Sequence, residues 1–186
     1  MKVIKTELDG AYIIEPQVFG DNRGWFTETF SAAKLKESGI EVPEFVQDNH
    51  SYSAGKGIIR GLHCQLDPHS QTKLIRCTRG EIYDVIVDIR EGSPTYKKWI
   101  KVFLSSENKL QLYIPQGFLH GFVTLTNDVE VQYKVDNYYN KSADRSVKFD
   151  DPEFGIDWGV VNPVLSDKDK NAPLLKDSDV KFIYKG

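Results

Sequence analysis

The chain is poor in cysteine: Cys64 and Cys77 are the only two in 186 residues. Two thiols are too few for a disulfide framework. Both fall in strand-like segments, where a free Cys acts as a small hydrophobe. Methionine occurs once, as Met1. No apolar run approaches the roughly 20 residues of a membrane-spanning helix. The opening residues, Met1 to Glu7, lack the apolar stretch of a secretory leader, so cytoplasmic residence is the default expectation. Charge of one sign is also missing. With 24 basic and 27 acidic residues the formal net charge is -3, which gives no global field for nucleic acid or a membrane surface, though it leaves room for a local basic pocket. There is no repeat, low-complexity segment or linker. Length and composition suit one domain over residues 1–186, large enough for a real core.

Strand signals dominate the rest. Tyr83, Val85, Val87 and Ile89 alternate with Asp84, Ile86 and Asp88, and Val129, Val131, Tyr133 and Val135 alternate with Glu130, Gln132 and Lys134. Period two is the mark of a strand. Lys101 to Leu104 and Leu110 to Ile114 predict two more, with a turn over 105–108 between them. Many short strands with glycine turns point to an all-β sandwich or barrel. Two helices are predicted. One covers Ala32 to Ser38, capped by Ser31 and stopped by Gly39; the other starts near Ser166, where Ser166 and Asp169 have capping-box spacing. Val180 to Tyr184 predicts a last strand or an apolar tail, and Pro152, Pro163 and Pro173 make the stretch 150–174 mostly irregular.

Four residues carry chemistry. His63 shares its strand face with Ile59, Gly61 and Gln65, small or polar neighbours that suit a pocket; a hydrogen-bonded structural histidine is the plain alternative. Arg60 has the opposite parity. It reaches the same cavity only if the strand bulges, and Gly61 is where a bulge would sit. Lys73 lies on a face with Ile75 and Cys77, where a buried ammonium is costly unless it meets an anion; a strand-end lysine reaching solvent is the plain alternative. His120 follows the turn Pro115-Gln116-Gly117, and Tyr133 lies between Val131 and Val135. The plain alternative for Tyr133 is a core tyrosine with a backbone partner. A base, a cation, a second imidazole and a phenol are the parts that move protons beside a carbonyl. Asp169 could orient His63, but on spacing alone it reads as the helix cap. A metal site is unsupported, because Gln65 stands where a second ligand near His63 would fall. Walker-type loops and nucleophile elbows are missing from the sequence.

Longer segments carry more. They include Asp21-Asn22-Arg23-Gly24-Trp25-Phe26-Thr27-Glu28, Phe45-Val46-Gln47-Asp48-Asn49-His50-Ser51, Arg60-Gly61-Leu62-His63, Arg79-Gly80-Glu81, Ile114-Pro115-Gln116-Gly117-Phe118-Leu119-His120, Asp151-Pro152-Glu153-Phe154 and Leu165-Ser166-Asp167-Lys168-Asp169. Taken in order, over nearly the whole chain, they resemble the dTDP-4-dehydrorhamnose 3,5-epimerases, metal-independent cupin enzymes. The resemblance implies a cupin-type double-stranded β-helix, no cofactor, and a dTDP-4-keto-6-deoxyhexose substrate inverted at carbons 3 and 5. By matched position, His63 is implied as general base, Asp169 as its orienting carboxylate, Tyr133 as the acid on the opposite face and Lys73 as the enolate-stabilising cation. Arg23, Glu28, Gln47, Asn49, Arg60, His120, Asp144 and Lys168 match nucleotide- or sugar-binding positions, and Tyr138 matches the aromatic set against thymine. A homodimer is implied, with the N-terminal segment exchanged into the partner's nucleotide site.

Three positions depart from the family pattern: Asp144 for the usual Glu, Gly159 for Pro after the final Trp, and Cys64 for an aromatic. The first shortens a ligand contact. Competing readings are an epimerase inverting only one carbon, a 3,4-ketoisomerase, a metal-dependent cupin oxygenase, which Gln65 argues against, and a non-catalytic sugar-binding cupin.

Overall fold

The computed structural model describes residues 1–185. Two antiparallel sheets face each other. The first, in spatial order, contains β1 (Lys2–Lys5), β2 (Tyr12–Glu15), β11 (Gln111–Ile114), β7 (Lys73–Arg79), β13 (Val129–Val135) and β5 (Gln47–Ser53). The second contains β10 (Trp99–Ser105), β8 (Glu81–Asp88), β12 (Phe118–Thr124), β6 (Ile59–Gln65) and β14 (Asp144–Ser146). Neighbours in each sheet are mostly distant in sequence. This is the cupin-type double-stranded β-helix, a jelly-roll barrel. A hairpin of β3 (Val18–Asp21) and β4 (Gly24–Thr27) stands apart from both sheets, and β9 (Arg90–Glu91) pairs in parallel with β15 (Phe182–Ile183).

Burial explains why alternation is weaker than a two-faced sheet would give. Between the sheets lie Ile75, Ile82, Ile86, Leu112, Phe122 and Val131. Outside the second sheet Val85, Val87, Leu119 and Val123 pack under a C-terminal cover that includes Phe154, Trp158 and Phe182. Outside the first, Leu74 and Tyr113 pack under Leu35 and Ile40. Strands covered on both faces read as nearly continuous apolar runs, as in β8, where residues 84–88 are all buried. Each fully buried aliphatic side chain contributes about 1.5–3 kcal/mol relative to exposure.

The helices form where their caps predict. α1 (Ala32–Glu37) starts at Ser31, whose hydroxyl accepts the Lys34 N–H, and Gly39 follows it at φ +87°. α2 (Asp167–Lys170) is a single turn opened by Ser166, whose hydroxyl accepts the Asp169 N–H at 3.1 Å. The rest of 150–174 has no other helix and no named strand, although Val164 makes a parallel bridge to Ile58.

The decisive irregularity lies between β6 and β12. His63 pairs with His120 and Arg60 with Phe122, so two residues, Gly61 and Leu62, stand opposite the single Gly121. This extra residue is the bulge that Arg60 and His63 need to face one cavity. Gly61 has φ +131°, and a Cβ there would lie 2.6 Å from the Gly121 Cα. A Cβ on Gly121 would lie 2.8 Å from the Arg60 carbonyl oxygen. The two backbones touch, and neither position has room for a side chain. Gly61→Ala is therefore expected to cost about 3 kcal/mol of stability or more. The control Gly55→Ala meets only ordinary contact, with the Ile58 Cδ1 3.7 Å away, and is expected to stay within about 0.5 kcal/mol of the parent. Urea unfolding of both variants checks this; equal losses would contradict it.

Candidate active site

The bulge and the paired strands bring His63, Lys73, His120, Tyr133 and Asp169 around one cavity of about 470 Å³, together with Arg60 and Lys168. His63 and His120 come from the second sheet and Lys73 and Tyr133 from the first, so the cavity lies between the two inner faces.

His63 is oriented by Asp169. Its Nε2 lies 2.6 Å from Asp169 Oδ1. Burial pushes the Asp169 carboxyl up, but the bond and charge of His63, the Ser166 hydroxyl and the Gly61 backbone N–H outweigh it and hold the group below the ordinary carboxylate range. An ionised carboxylate only accepts hydrogen bonds. Nε2 is thus the donor, and in the neutral imidazole Nδ1 keeps the lone pair. The expected capping box is only half made: Ser166 caps the Asp169 N–H, while the Asp169 carboxylate binds His63 rather than the Ser166 backbone N–H.

Lys73 has no carboxylate partner within ion-pair distance among the described residues. Its ammonium lies 5.5 Å from the centroid of the Tyr133 ring. Burial lowers its pKa, and the nearby acidic groups of Cys64, Asp84 and Asp144 only partly offset this. Burial raises the Tyr133 phenol, with Arg60 opposing and Asp144 adding to the shift. Tyr133 therefore holds its proton through neutral pH. His120 Nε2 lies 3.0 Å from Oδ2 of the fully buried Asp84. Burial raises the Asp84 pKa against the pull of His120 and Lys73. Arg60 donates to the Ser53 hydroxyl at 3.0 Å and to the Tyr52 carbonyl at 2.8 Å, and Lys168 pairs with Asp144. Cys64 is a buried thiol pushed up to about 12, so it acts as packing here.

Other expected binding residues stand outside this cavity. Asn49 lines a smaller space of about 280 Å³ that shares Tyr133. Gln47 donates to Asn49 at 2.8 Å and accepts the Tyr139 N–H at 3.2 Å. The Tyr138 ring is exposed, and its carbonyl accepts from Gln65. Arg23 sits at the exposed tip of the β3–β4 hairpin, bound to Asp21, and Glu28 pairs with Lys34 at 2.8 Å. Within one chain neither reaches the cavity.

Two residues escaped the sequence reading. Asp84 is the buried partner of His120; its signal was a carboxylate on the same strand face as Ile86. Ser51 lines the cavity; its signal was its place two residues after Asn49 on a strand.

Fold and site together define a cupin-type acid–base enzyme. The family model described as dTDP-4-dehydrorhamnose 3,5-epimerase matches residues 5–177. A dTDP-4-dehydrorhamnose 3,5-epimerase from Shigella flexneri is 51% identical over 179 residues, covering 96% of this chain and 98% of its own length. The crystal structure of the Bacillus anthracis enzyme of that name, with TDP and PPi bound, is 51% identical with a TM-score of 0.91, covering 94% of this chain and 99% of its own. The Legionella pneumophila dTDP-6-deoxy-D-glucose-3,5-epimerase, solved with dTDP-4-keto-L-rhamnose, is 44% identical with a TM-score of 0.92, covering 100% and 99%. The chain belongs to the dTDP-4-dehydrorhamnose 3,5-epimerase family.

A half-buried ammonium without an anion burdens the fold. Lowering the Lys73 pKa means the native state binds its proton less well than the unfolded chain does. The cost is present below the folded-state pKa and relieved as pH rises toward the ordinary lysine value of about 10.4. Lys73→Met is therefore expected to stabilise the protein by about 1 kcal/mol at pH 7 and to flatten the alkaline limb of its stability profile. Urea midpoints at pH 7 and pH 10 check this. A less stable Lys73→Met at pH 7 would contradict it.

Proposed function

We propose that this chain converts dTDP-4-dehydro-6-deoxy-D-glucose to dTDP-4-dehydro-L-rhamnose by inverting carbons 3 and 5. The observation that carries this reading is an imidazole tied to a carboxylate on one sheet and a phenol beside a partnerless ammonium on the other. The ketone at carbon 4 acidifies the hydrogens on both neighbours. His63 takes the carbon 3 proton, and the C–H electron pair moves into a carbon 3–carbon 4 double bond. The ketone oxygen becomes an oxyanion, which Lys73 stabilises. Tyr133 then delivers its proton to carbon 3 from the opposite face, the ketone re-forms, and both side chains return to their starting states by exchange with solvent. The same sequence runs at carbon 5. A base and an acid on opposite faces are what inversion needs. The oxyanion supplies the partner that Lys73 lacks, so the ammonium is stabilised more in the enolate than in the ground state.

Arg60, His120, Asp144 and Lys168 would hold the sugar and diphosphate at the cavity, with Gln47 and Asn49 beside it and Tyr138 stacked on thymine. The active form would be a homodimer. Phe19, Trp25 and Phe26 of the β3–β4 hairpin are 53%, 61% and 68% exposed, a patch of the kind that partners cover. Insertion of this hairpin into a second copy would carry Arg23 and Glu28 to the partner's nucleotide. No helix among the described residues is long and apolar enough to cross a membrane. The chain would act as one domain, in the cytoplasm, in nucleotide-sugar metabolism.

Incubation of the 4-keto sugar nucleotide with enzyme in heavy water, read by NMR, tests this. Deuterium at carbons 3 and 5 with inverted configuration is expected. Label at one carbon would reduce the activity to a single inversion, and no label would overturn it. His63→Ala is expected to slow exchange by about 10²–10⁴-fold, with dTDP affinity within a few fold of the parent by calorimetry.

A further inference from the structure

Ser51 has no role in the mechanism above, yet its surroundings single it out. On β5 the side chains of Asn49, Ser51 and Ser53 share the inward face, with Asn49 paired in register to Tyr133 and Ser51 to Val131. Ser53 is engaged, since its hydroxyl accepts the Arg60 Nε–H at 3.0 Å. The Ser51 hydroxyl is buried and has no partner among the described residues, although the Arg60 guanidinium passes close enough to bind Ser53 and the Tyr52 carbonyl. A buried polar atom without a partner is costly. Among the described residues three others share this state: Glu28 Oε1, which faces the Lys34 ammonium, Asp84 Oδ1 and Ser146 Oγ. Asp84 binds His120, and Ser146 pairs in register with His63. Asp84 and Ser146 thus stand beside the two cavity histidines while Glu28 lies away from them, and Ser51 is the one of the four whose residue lines the cavity.

We propose that the Ser51 hydroxyl is a substrate-positioning contact that hydrogen-bonds the carbon 2 hydroxyl of the hexose on the Tyr133 side. This rests on the epimerase reading. The choice of carbon 2 follows from the chemistry of a double inversion. Carbon 1 carries the diphosphate, carbon 4 is the ketone and carbon 6 is a methyl. Carbon 3 changes configuration, so its hydroxyl moves during the reaction. The carbon 2 hydroxyl is the only free hydroxyl that keeps its configuration, and a contact to it can hold the ring through both enolates. Ser51 lies on the same sheet as Tyr133, opposite the sheet that carries His63. Its contact would press the ring toward the phenol while the base works from the other side.

A substrate cycle tests this. The parent enzyme and Ser51→Ala are assayed with the natural 4-keto sugar nucleotide and with its 2-deoxy analogue. Ser51→Ala is expected to lower kcat/KM about tenfold on the natural substrate. The parent is expected to lose a similar factor on the analogue, and Ser51→Ala to lose nothing further there. Because the variant removes an unsatisfied hydroxyl, its thermal midpoint is expected to hold or rise by about 2 °C. Natural-substrate kcat/KM unchanged in Ser51→Ala would overturn the proposal. So would equal sensitivity of both enzymes to the 2-deoxy change, or a collapse of the variant's fold, which would make the hydroxyl structural. A parent enzyme inactive on the natural substrate would overturn the epimerase reading itself, a result distinct from all of these.

Discussion

The site depends on two backbones lying closer than side chains allow. Gly61 and Gly121 meet across β6 and β12 with no room for a Cβ on either. That contact goes with the extra residue in β6, and the extra residue restores Arg60 and His63 to one face. It also gives His63 its register opposite His120. The Gly61 backbone N–H in turn helps to hold Asp169 ionised. Without the bulge, strict alternation would send either Arg60 or His63 out of the cavity.

Electrostatics divides the cavity into satisfied and unsatisfied groups. Each imidazole has a carboxylate, Asp169 for His63 and Asp84 for His120. Among the described residues the Lys73 ammonium and the Ser51 hydroxyl have no such partner, and both residues line the cavity. Burying groups that way costs stability and makes sense when a reacting molecule completes them. The covers of the two sheets, from α1 on one side and the C-terminal segment on the other, bury apolar area that offsets such costs.

Much of this was legible in the sequence. Period-two runs marked β8 and β13, and Ser31 and Ser166 marked the starts of both α-helices, because these signals are local. The pairing of strands was not legible from pattern alone, since β6 lies between β12 and β14, far from its sequence neighbours. Residue by residue, His63, Lys73 and Tyr133 each had an ordinary alternative, and only the ordered family segments pointed to one cavity. Asp169 shows why: its spacing predicted a helix cap, and the helix does use its backbone N–H that way, while the side chain is free to serve His63. Asp84 was hidden for the same reason, because the partner it meets is on another strand. Arg23 and Glu28 were named by motif, yet one chain does not bring them to the cavity; they pair instead with Asp21 and Lys34.

The central claim is that the fold presents the Nδ1 lone pair of His63 as a base because Asp169 occupies Nε2. Nitrogen-15 NMR of the imidazole ring, assigned by loss of the signals in a His63→Asn variant, reads the tautomer directly. The expected result is a neutral ring protonated at Nε2, with unprotonated Nδ1, that loses this preference in Asp169→Asn. A ring protonated at Nδ1 in the parent protein would contradict the claim, since the nitrogen assigned to proton abstraction would then carry no lone pair.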